Sequence, residues 1–203
     1  MPKKVVVVGS GNAALSAGIA ALEKGADVVI YEKADKKMAG GNTKYTAGAM
    51  RFSYENGDQL IDLLKHPDDK RIKNTDFGTY TNEKFSLDLL NFNDGRPLSP
   101  EQKILVSKSF ETIQWLASHN VKFEPIYSRQ SFLKNGKHIF WGGLTLASEN
   151  EGVGLFDQEL AAFLSLGGKI HYNSPVTKLI YQNNKVSGVL VDNRSVEADA
   201  VIL

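Results

Sequence analysis

A short glycine-rich turn near the start of the chain has residue types that suit a dinucleotide phosphate. Residues 9–14 read GSGNAA, a G-x-G-x-x-A pattern that follows a run of valines and opens a run of small residues. Gly9 permits a tight turn, Gly11 lets the backbone approach a pyrophosphate, and Ala14 is small enough for close packing of a helix on a strand. Free N–H groups at a helix N-terminus favour bound phosphate. The turn therefore predicts a dinucleotide-binding site.

An acidic residue stands at the end of the next predicted strand. Glu32 closes the apolar segment 27–32 and follows Gly9 by 23 positions (32 − 9 = 23). A carboxylate at this place can accept both ribose hydroxyls of an adenosine and disfavours a 2′-phosphate, which argues against NADP. These residues alone leave FAD and NAD as alternatives. A Rossmann-like unit without a ligand is a further alternative.

A second glycine-rich loop helps to discriminate between FAD and NAD. Residues 40–50 read GGNTKYTAGAM and come soon after the ribose acid. A flavin needs such a loop, because backbone amides must approach the edge of its isoalloxazine ring and polarise N5. A nicotinamide dehydrogenase has no comparable need. The loop therefore favours FAD, with an ordinary turn at 47–49 as the alternative.

Together, these motifs resemble the fumarate reductase/succinate dehydrogenase flavoprotein family. The resemblance rests on residues 5–14, on Tyr31-Glu32-Lys33, and on residues 40–49, which match the pattern G-G-N-[ST]-x-x-x-A-G-G at every position except the last, Ala49. Within that family the chain looks most like the FAD-dependent tricarballylate dehydrogenases. That closer likeness is carried by residues 11–15, 95–96, 115–123 and 141–143.

The resemblance implies a non-covalent FAD site. Its pyrophosphate would lie on the first turn, its ribose on Glu32, its flavin ring on the second loop, and its adenine on main-chain groups of Val176. The residues assigned in this way are Gly9, Gly11, Asn12, Ala13, Ala14, Glu32, Lys33, Gly40, Gly41, Asn42, Thr43, Ala47, Gly48, Ala49 and Val176. Ala49 replaces the second glycine of the family pattern, so the backbone would approach N5 less closely. Residues 40–48 contain no histidine, so a histidyl-flavin bond is not expected.

The implied activity is oxidation or reduction of a carbon–carbon bond next to carboxylates. Hydride would pass to or from flavin N5, with a tricarballylate-, succinate- or fumarate-like substrate and an electron-transfer partner. In the family, the arginines and the histidine that act on the substrate come from a cap domain and from a later part of the flavin domain. We therefore assign no catalytic residue and expect residues 1–203 alone to be inactive. The alternatives are a non-catalytic dinucleotide-binding module and a flavoenzyme similar to 3-ketosteroid dehydrogenases.

The hydrophobic pattern predicts an α/β fold that can position these motifs. Residues 5–8 and 27–32 form predicted buried strands around a helix of small residues at 13–24, the usual parallel crossover. Helices are also predicted at 58–66, 81–92, 100–120 and 153–166, and residues 128–150 are predicted to be irregular. Short segments at 169–172, 176–182, 185–192 and 195–198 indicate a β-meander. The predicted fold is a Rossmann-like FAD-binding domain with a parallel sheet, flanking helices and a C-terminal β-meander.

Composition excludes several classes of protein. The 203 residues carry 24 basic and 23 acidic side chains, a net charge of +1, so no basic excess favours nucleic acid. Cysteine is absent and the four histidines are scattered, so no metal site is expected. No segment has the length of a membrane span, and we expect a cytoplasmic protein. The chain ends in a predicted strand at 198–203, so we expect residues 1–203 to be the N-terminal part of an FAD-binding domain without its cap domain.

Overall fold

The computed structural model describes residues 1–203, which divide into two compact units. The first unit combines Met1–Thr46 with Gly152–Leu203, and the second is Ala47–Glu151. The helices are α1 (Asn12–Glu23), α2 (Asp58–Ile61), α3 (Asn82–Phe92), α4 (Pro100–Ser118), α5 (Tyr127–Gln130) and α6 (Glu151–Ser165). The strands are β1 (Lys4–Val8), β2 (Asp27–Tyr31), β3 (Ala49–Met50), β4 (Thr75–Asp76), β5 (Phe123–Pro125), β6 (Ser131–Lys134), β7 (Lys137–Phe140), β8 (Leu146–Ser148), β9 (Lys169–His171), β10 (Val176–Gln182), β11 (Lys185–Val191), β12 (Arg194–Glu197) and β13 (Ala200–Ile202).

The first unit is built on a four-stranded parallel sheet in the order β13-β1-β2-β9. The valine run forms its central strand β1, where Val6 lies opposite Val29 on one side and Val201 on the other. Val6 and Val7 are fully buried, because a central parallel strand is covered on both faces. The predicted α/β class with a parallel sheet, flanking helices and a meander is confirmed.

The two faces of this sheet carry different layers. On one face, Val6 and Val29 share a core with Val189 and Val191 of the meander β10-β11-β12. On the other face, α1 lies so close to its neighbours that a Cβ on Gly18 would stand 2.8 Å from the Phe163 ring. The small residues of α1 therefore allow the close helix packing that the sequence predicts.

The segments 169–172 and 128–150 differ from the predictions. The sequence pattern assigns residues 169–172 to the meander, but Lys169–His171 joins the parallel sheet beside β2, since it follows helix α6 in a crossover connection. Residues 128–150 are predicted to be irregular, but they contain the hairpin β6–β7. Its turn is Asn135-Gly136, with both residues at positive φ, and this Asn-Gly pair is the sequence signal for the hairpin.

The second unit has two small three-stranded sheets, in the orders β3-β8-β5 and β4-β7-β6. Its longest helix, α4, begins as predicted with a capping box between Ser99 and Gln102. The predicted helix at 58–66 is shorter than expected, since α2 ends at Ile61. No helix in residues 1–203 is both long enough and apolar enough to cross a membrane.

Candidate functional site

The first glycine turn connects the end of β1 to the start of α1, at the carboxyl edge of the parallel sheet. Gly9 has a φ of +91°, a conformation that residues with a Cβ rarely adopt, and its N–H donates to Tyr31 O at 2.8 Å. A Cβ on Gly11 would lie 3.3 Å from Thr43 Oγ1. The two glycines thus serve different purposes: the first makes the turn and the second keeps space open at the helix N-terminus.

Glu32 directly follows β2 and is held firmly at this edge. Its carboxylate accepts from Ser10 Oγ at 2.5 Å and from the Ala34 N–H at 2.7 Å, and the residue is 6% exposed. A carboxylate offers about four acceptor positions, so two remain for a ligand. Ser10 also accepts from the Gly40 N–H at 3.1 Å. Sequence reasoning missed Ser10, although its place between the two turn glycines was a usable signal.

A cavity of about 390 Å³ lies at this edge. Its walls are formed by Val8, Gly9, Ser10, Gly11, Tyr31, Glu32, Lys33, Gly41, Pro175 and Val176. The structure therefore brings together six of the predicted site residues: Gly9, Gly11, Glu32, Lys33, Gly41 and Val176. A glycine-lined wall, a helix N-terminus and a carboxylate with free acceptor positions fit the adenosine diphosphate part of a dinucleotide.

The first part of the second glycine loop is tied to the turn. Gly40 has a φ of +106°, and a short 3-10 turn follows at Gly41–Tyr45. Within it, Thr43 Oγ1 accepts the backbone N–H of Asn12 at 2.9 Å. A Cβ on Gly152 would collide with Thr43 O, so the start of α6 also depends on a glycine. Asn42 is exposed and does not line the cavity, and Ala13 and Ala14 lie in the first turn of α1.

The last three predicted flavin residues belong to the second unit. Gly48 has a φ of +63°, and its carbonyl accepts the N–H of Ser148 at 2.9 Å. A Cβ on Gly48 would collide with Ser148 Oγ, so a glycine is needed here for packing as well as for conformation. Ala47 is half-buried, and Ala49 pairs with Ala147 in the β3–β8 ladder.

A buried glutamate on α6 contacts the first turn of α1. Glu159 is fully buried and accepts from Ser16 Oγ at 2.8 Å. The Asn12 carboxamide forms complementary hydrogen bonds when its Nδ2 faces the Glu159 carboxylate. In this orientation Nδ2 donates to both carboxylate oxygens at 2.9 Å. Burial raises the pKa of Glu159 to about 7, against the opposing effect of the Ser16 hydrogen bond. Sequence reasoning missed Glu159, although a glutamate within the apolar stripe of the helix (Leu155, Phe163) was a signal.

Comparison with known proteins places this site in a family. Residues 4–203 match the family described as FAD binding domain. A fumarate reductase (cytochrome) of Shewanella frigidimarina is 28% identical over 205 residues, which cover 98% of this chain and 32% of that protein. A digoxin reductase of Eggerthella lenta is 30% identical over 120 residues, which cover 59% of this chain and 19% of that protein. The chain thus spans about a third or less of the length of these relatives.

A solved structure shows the same fold. The open conformation of a flavocytochrome c3 fumarate reductase superposes with a TM-score of 0.68 at 24% identity, covering 100% of this chain and 33% of that one. The family match agrees with the glycine turn, with Glu32 and with the cavity between them. The chain belongs to the FAD-binding-domain family of the fumarate reductase/succinate dehydrogenase flavoproteins, and its cofactor is FAD.

Proposed function

We propose that residues 1–203 are the N-terminal part of the FAD-binding domain of a flavoprotein oxidoreductase that acts on a carbon–carbon bond next to a carboxylate. The observation that supports this proposal best is the cavity at the carboxyl edge of the parallel sheet. Its walls include the two turn glycines and the carboxylate of Glu32. Ligands of open α/β sheets bind at this edge.

In this proposal, each group of residues holds one part of the cofactor. The N-terminus of α1, with Gly11, Asn12, Ala13 and Ala14, receives the pyrophosphate, and its dipole favours the negative charge. Glu32 accepts the ribose hydroxyls with the acceptor positions that Ser10 and Ala34 leave free. Lys33 and the main chain of Val176 line the adenosine end.

The flavin ring is assigned to the second glycine loop. Gly40, Gly41, Asn42, Thr43, Ala47, Gly48 and Ala49 would present backbone groups to its edge. When bound, FAD supplies a two-electron acceptor at N5, to which a substrate C–H bond can transfer hydride. Residues 40–48 contain no histidine, which supports non-covalent binding.

The substrate is proposed to be a small carboxylate of the succinate, fumarate or tricarballylate type. The name of the fumarate reductase relative supports this class, whereas the digoxin reductase relative acts on a different kind of molecule. We assign no catalytic residue within 1–203. The groups that bind the carboxylates and move the proton are proposed to lie in segments of the relatives that this chain does not match, and an electron-transfer partner is proposed on the same basis. The cytoplasmic location stays a prediction from the sequence.

The visible spectrum and FAD affinity of the purified full-length protein test this function, because residues 1–203 alone are expected to bind FAD weakly or not at all. We expect a yellow protein, or an apoprotein that quenches FAD fluorescence on titration, with no comparable response to NAD. Gly11→Val is the matched control, since its side chain would fill the space at the N-terminus of α1 and should abolish binding. A colourless wild-type protein that does not change the fluorescence of added FAD would refute the assignment.

Substrate class needs a second experiment, on the flavin-loaded full-length protein that contains residues 1–203. Succinate, fumarate, tricarballylate and a 3-ketosteroid are each tested for flavin reduction or for reoxidation of reduced flavin. Turnover of a carboxylate would support the proposal. Turnover of the steroid alone would replace it with the steroid dehydrogenase alternative, and binding of FAD without any redox response would favour a non-catalytic module. The fragment 1–203 by itself is expected to show no turnover.

A further inference from the structure

The side chain of Glu159 is a buried acid with no cationic partner, next to the predicted pyrophosphate site. It lies within α6, yet both of its hydrogen-bonding partners, Asn12 and Ser16, belong to the first turns of α1. No salt bridge involves this carboxylate. A charged carboxylate without a cation is costly in a protein interior, so its charge state depends on small changes nearby.

Charged groups on the surrounding segments do not account for the raised pKa of Glu159. Charged side chains on the adjoining segments are Glu23 at the end of α1, Glu32 after β2, Lys44 in the 41–45 turn, and Glu151 and Asp157 on α6 itself. Lys44 Nζ lies over the Phe156 ring, 4.7 Å from its centre, and Glu32 is bonded to Ser10. None of these groups shifts the pKa of Glu159, which is raised by burial and lowered only by the Ser16 hydroxyl.

Two hydrogen-bonding patterns are available to the pair formed by Glu159 and Asn12. With the carboxylate ionised, Asn12 turns Nδ2 toward it and donates to both oxygens at 2.9 Å. A rotation of the Asn12 carboxamide by 180° exchanges the positions of Oδ1 and Nδ2. With Glu159 protonated, its O–H can then donate to Asn12 Oδ1. The second pattern frees the Asn12 NH₂ group to donate to a phosphate oxygen.

We propose that Glu159 is a positioning residue that orients the Asn12 carboxamide, and that FAD binding is coupled to the uptake of one proton by this buried carboxyl. The proposal rests on the FAD site described above. A bound pyrophosphate brings negative charge to the N-terminus of α1, which disfavours a carboxylate nearby and favours the Asn12 orientation that a protonated Glu159 allows.

The sign of the pH dependence follows from this coupling. Bound FAD raises the proton affinity of Glu159. At any pH at which Glu159 of the apoprotein is partly ionised, the FAD complex therefore binds more protons than the apoprotein does. The Kd for FAD is therefore constant at acidic pH and rises above neutral pH. For an apoprotein carboxyl whose pKa is about 7, and full protonation in the complex, we expect the Kd to rise about tenfold between pH 6 and pH 8.

Titration of apoprotein with FAD between pH 6 and pH 9 tests the coupling, with fluorescence quenching as the readout. Glu159→Gln keeps a neutral donor toward Asn12 and should bind FAD at pH 8 about as tightly as wild type does at pH 6. Ser16→Ala removes the hydroxyl that lowers the pKa, so the rise in Kd should move to higher pH. His171→Gln is the control, because the His171 ring stacks on Tyr31 in the cavity wall, whereas the hydrogen-bonding partners of Glu159 are Asn12 and Ser16. This control should retain the wild-type profile.

Calorimetry of the wild-type protein keeps the test valid even if a variant does not fold. FAD binding at pH 8 is measured in buffers of different ionisation enthalpy, and we expect the uptake of close to one proton. Parallel pH profiles for wild type and Glu159→Gln, or no proton uptake by wild type, would overturn the inference while leaving FAD binding intact. If neither protein binds FAD at any pH, both the inference and the proposed FAD site fail.

Discussion

Glu32 and Glu159 are two buried glutamates of the same unit, but their surroundings differ. Glu32 stands at the end of β2, lines the cavity, and accepts one backbone and one hydroxyl hydrogen bond. Glu159 lies inside the helical layer and has only side-chain partners, Ser16 and Asn12. The backbone N–H that donates to Glu32 cannot rotate away. The Asn12 carboxamide that donates to Glu159 can rotate and present its oxygen instead.

This difference indicates how one chain uses the same residue type for two purposes. The carboxylate of Glu32 has fixed donors and free acceptor positions, so it can hold a ligand hydroxyl. The carboxyl of Glu159 has no route to a ligand hydroxyl and loses hydration when charged, so it is sensitive to pH and to charge that binds at the N-terminus of α1. Substitutions at the two sites should therefore change different measurable quantities.

The largest expected effect is on cofactor affinity at Glu32. Glu32→Ala would remove the two proposed hydrogen bonds to the ribose and leave Ser10 and the Ala34 N–H without their acceptor. At about 2 kcal/mol for each hydrogen bond to a charged group, FAD should bind on the order of 1000-fold more weakly. Equilibrium titration measures the loss. Glu32→Gln, which keeps one acceptor oxygen, should lose less than the alanine variant, and an alanine variant within about threefold of wild type would show that Glu32 does not contact the ribose.

Next in size is the pH dependence of stability at Glu159. Its pKa is raised from 4.5 to about 7 in the folded chain, so the folded state binds the proton more tightly than the unfolded state does. Stability from this group is complete below pH 4.5 and is lost as pH rises through 7. Between about pH 4 and pH 8 the wild type should lose about 3 kcal/mol relative to Glu159→Gln, measured by urea unfolding of the apoprotein.

The control for that experiment lies on the same helix. Asp157 is exposed on α6, so Asp157→Asn should leave the pH dependence of unfolding as it is in the wild type. If Glu159→Gln and Asp157→Asn change the pH profile equally, the burial of Glu159 is not the cause.

A smaller effect is expected at Gly11, the residue that precedes α1. A Cβ here would stand 3.3 Å from Thr43 Oγ1 and would occupy part of the space at the helix N-terminus. We expect Gly11→Ala to weaken FAD binding about tenfold with little loss of stability, since its φ of −73° is accessible to alanine. Gly9→Ala is the contrasting variant: at φ +91° it should cost about 1–2 kcal/mol of unfolding free energy. Equal stability of the two variants would contradict this distinction.

The smallest effect is expected at Lys33. Its side chain lines the proposed adenosine end of the cavity but is exposed, so its long-range attraction to the negative charge of FAD is screened by solvent. Lys33→Ala should weaken FAD binding no more than about threefold, and raising the salt concentration should remove the difference. A loss as large as that of Glu32→Ala would mean that Lys33 contacts the cofactor directly.

Much of the site could be predicted because its signals are local. Gly9, Gly11 and Glu32 follow a strand–turn–helix–strand pattern whose geometry is set within about thirty residues, so their approach to one another needs no long-range contact. Val176 was identified only through the family resemblance, and the structure brings it to the same cavity. The hairpin at 131–140 could have been predicted from its Asn-Gly turn. The place of β9 in the parallel sheet could not, since a short alternating segment does not reveal which strand it joins.

The glycine turn and the carboxylate at a strand end were enough to predict a dinucleotide site, and the second glycine loop at 40–50 then favoured FAD over NAD. The contacts of Ser10 and Glu159 became visible only in the folded chain. Ser10 donates to Glu32 and accepts from the Gly40 N–H. Glu159 on α6 accepts from Ser16 on α1, a residue 143 positions earlier in the chain. Hydrogen bonds between such distant segments depend on how the helices pack on the sheet, and no local pattern encodes that packing.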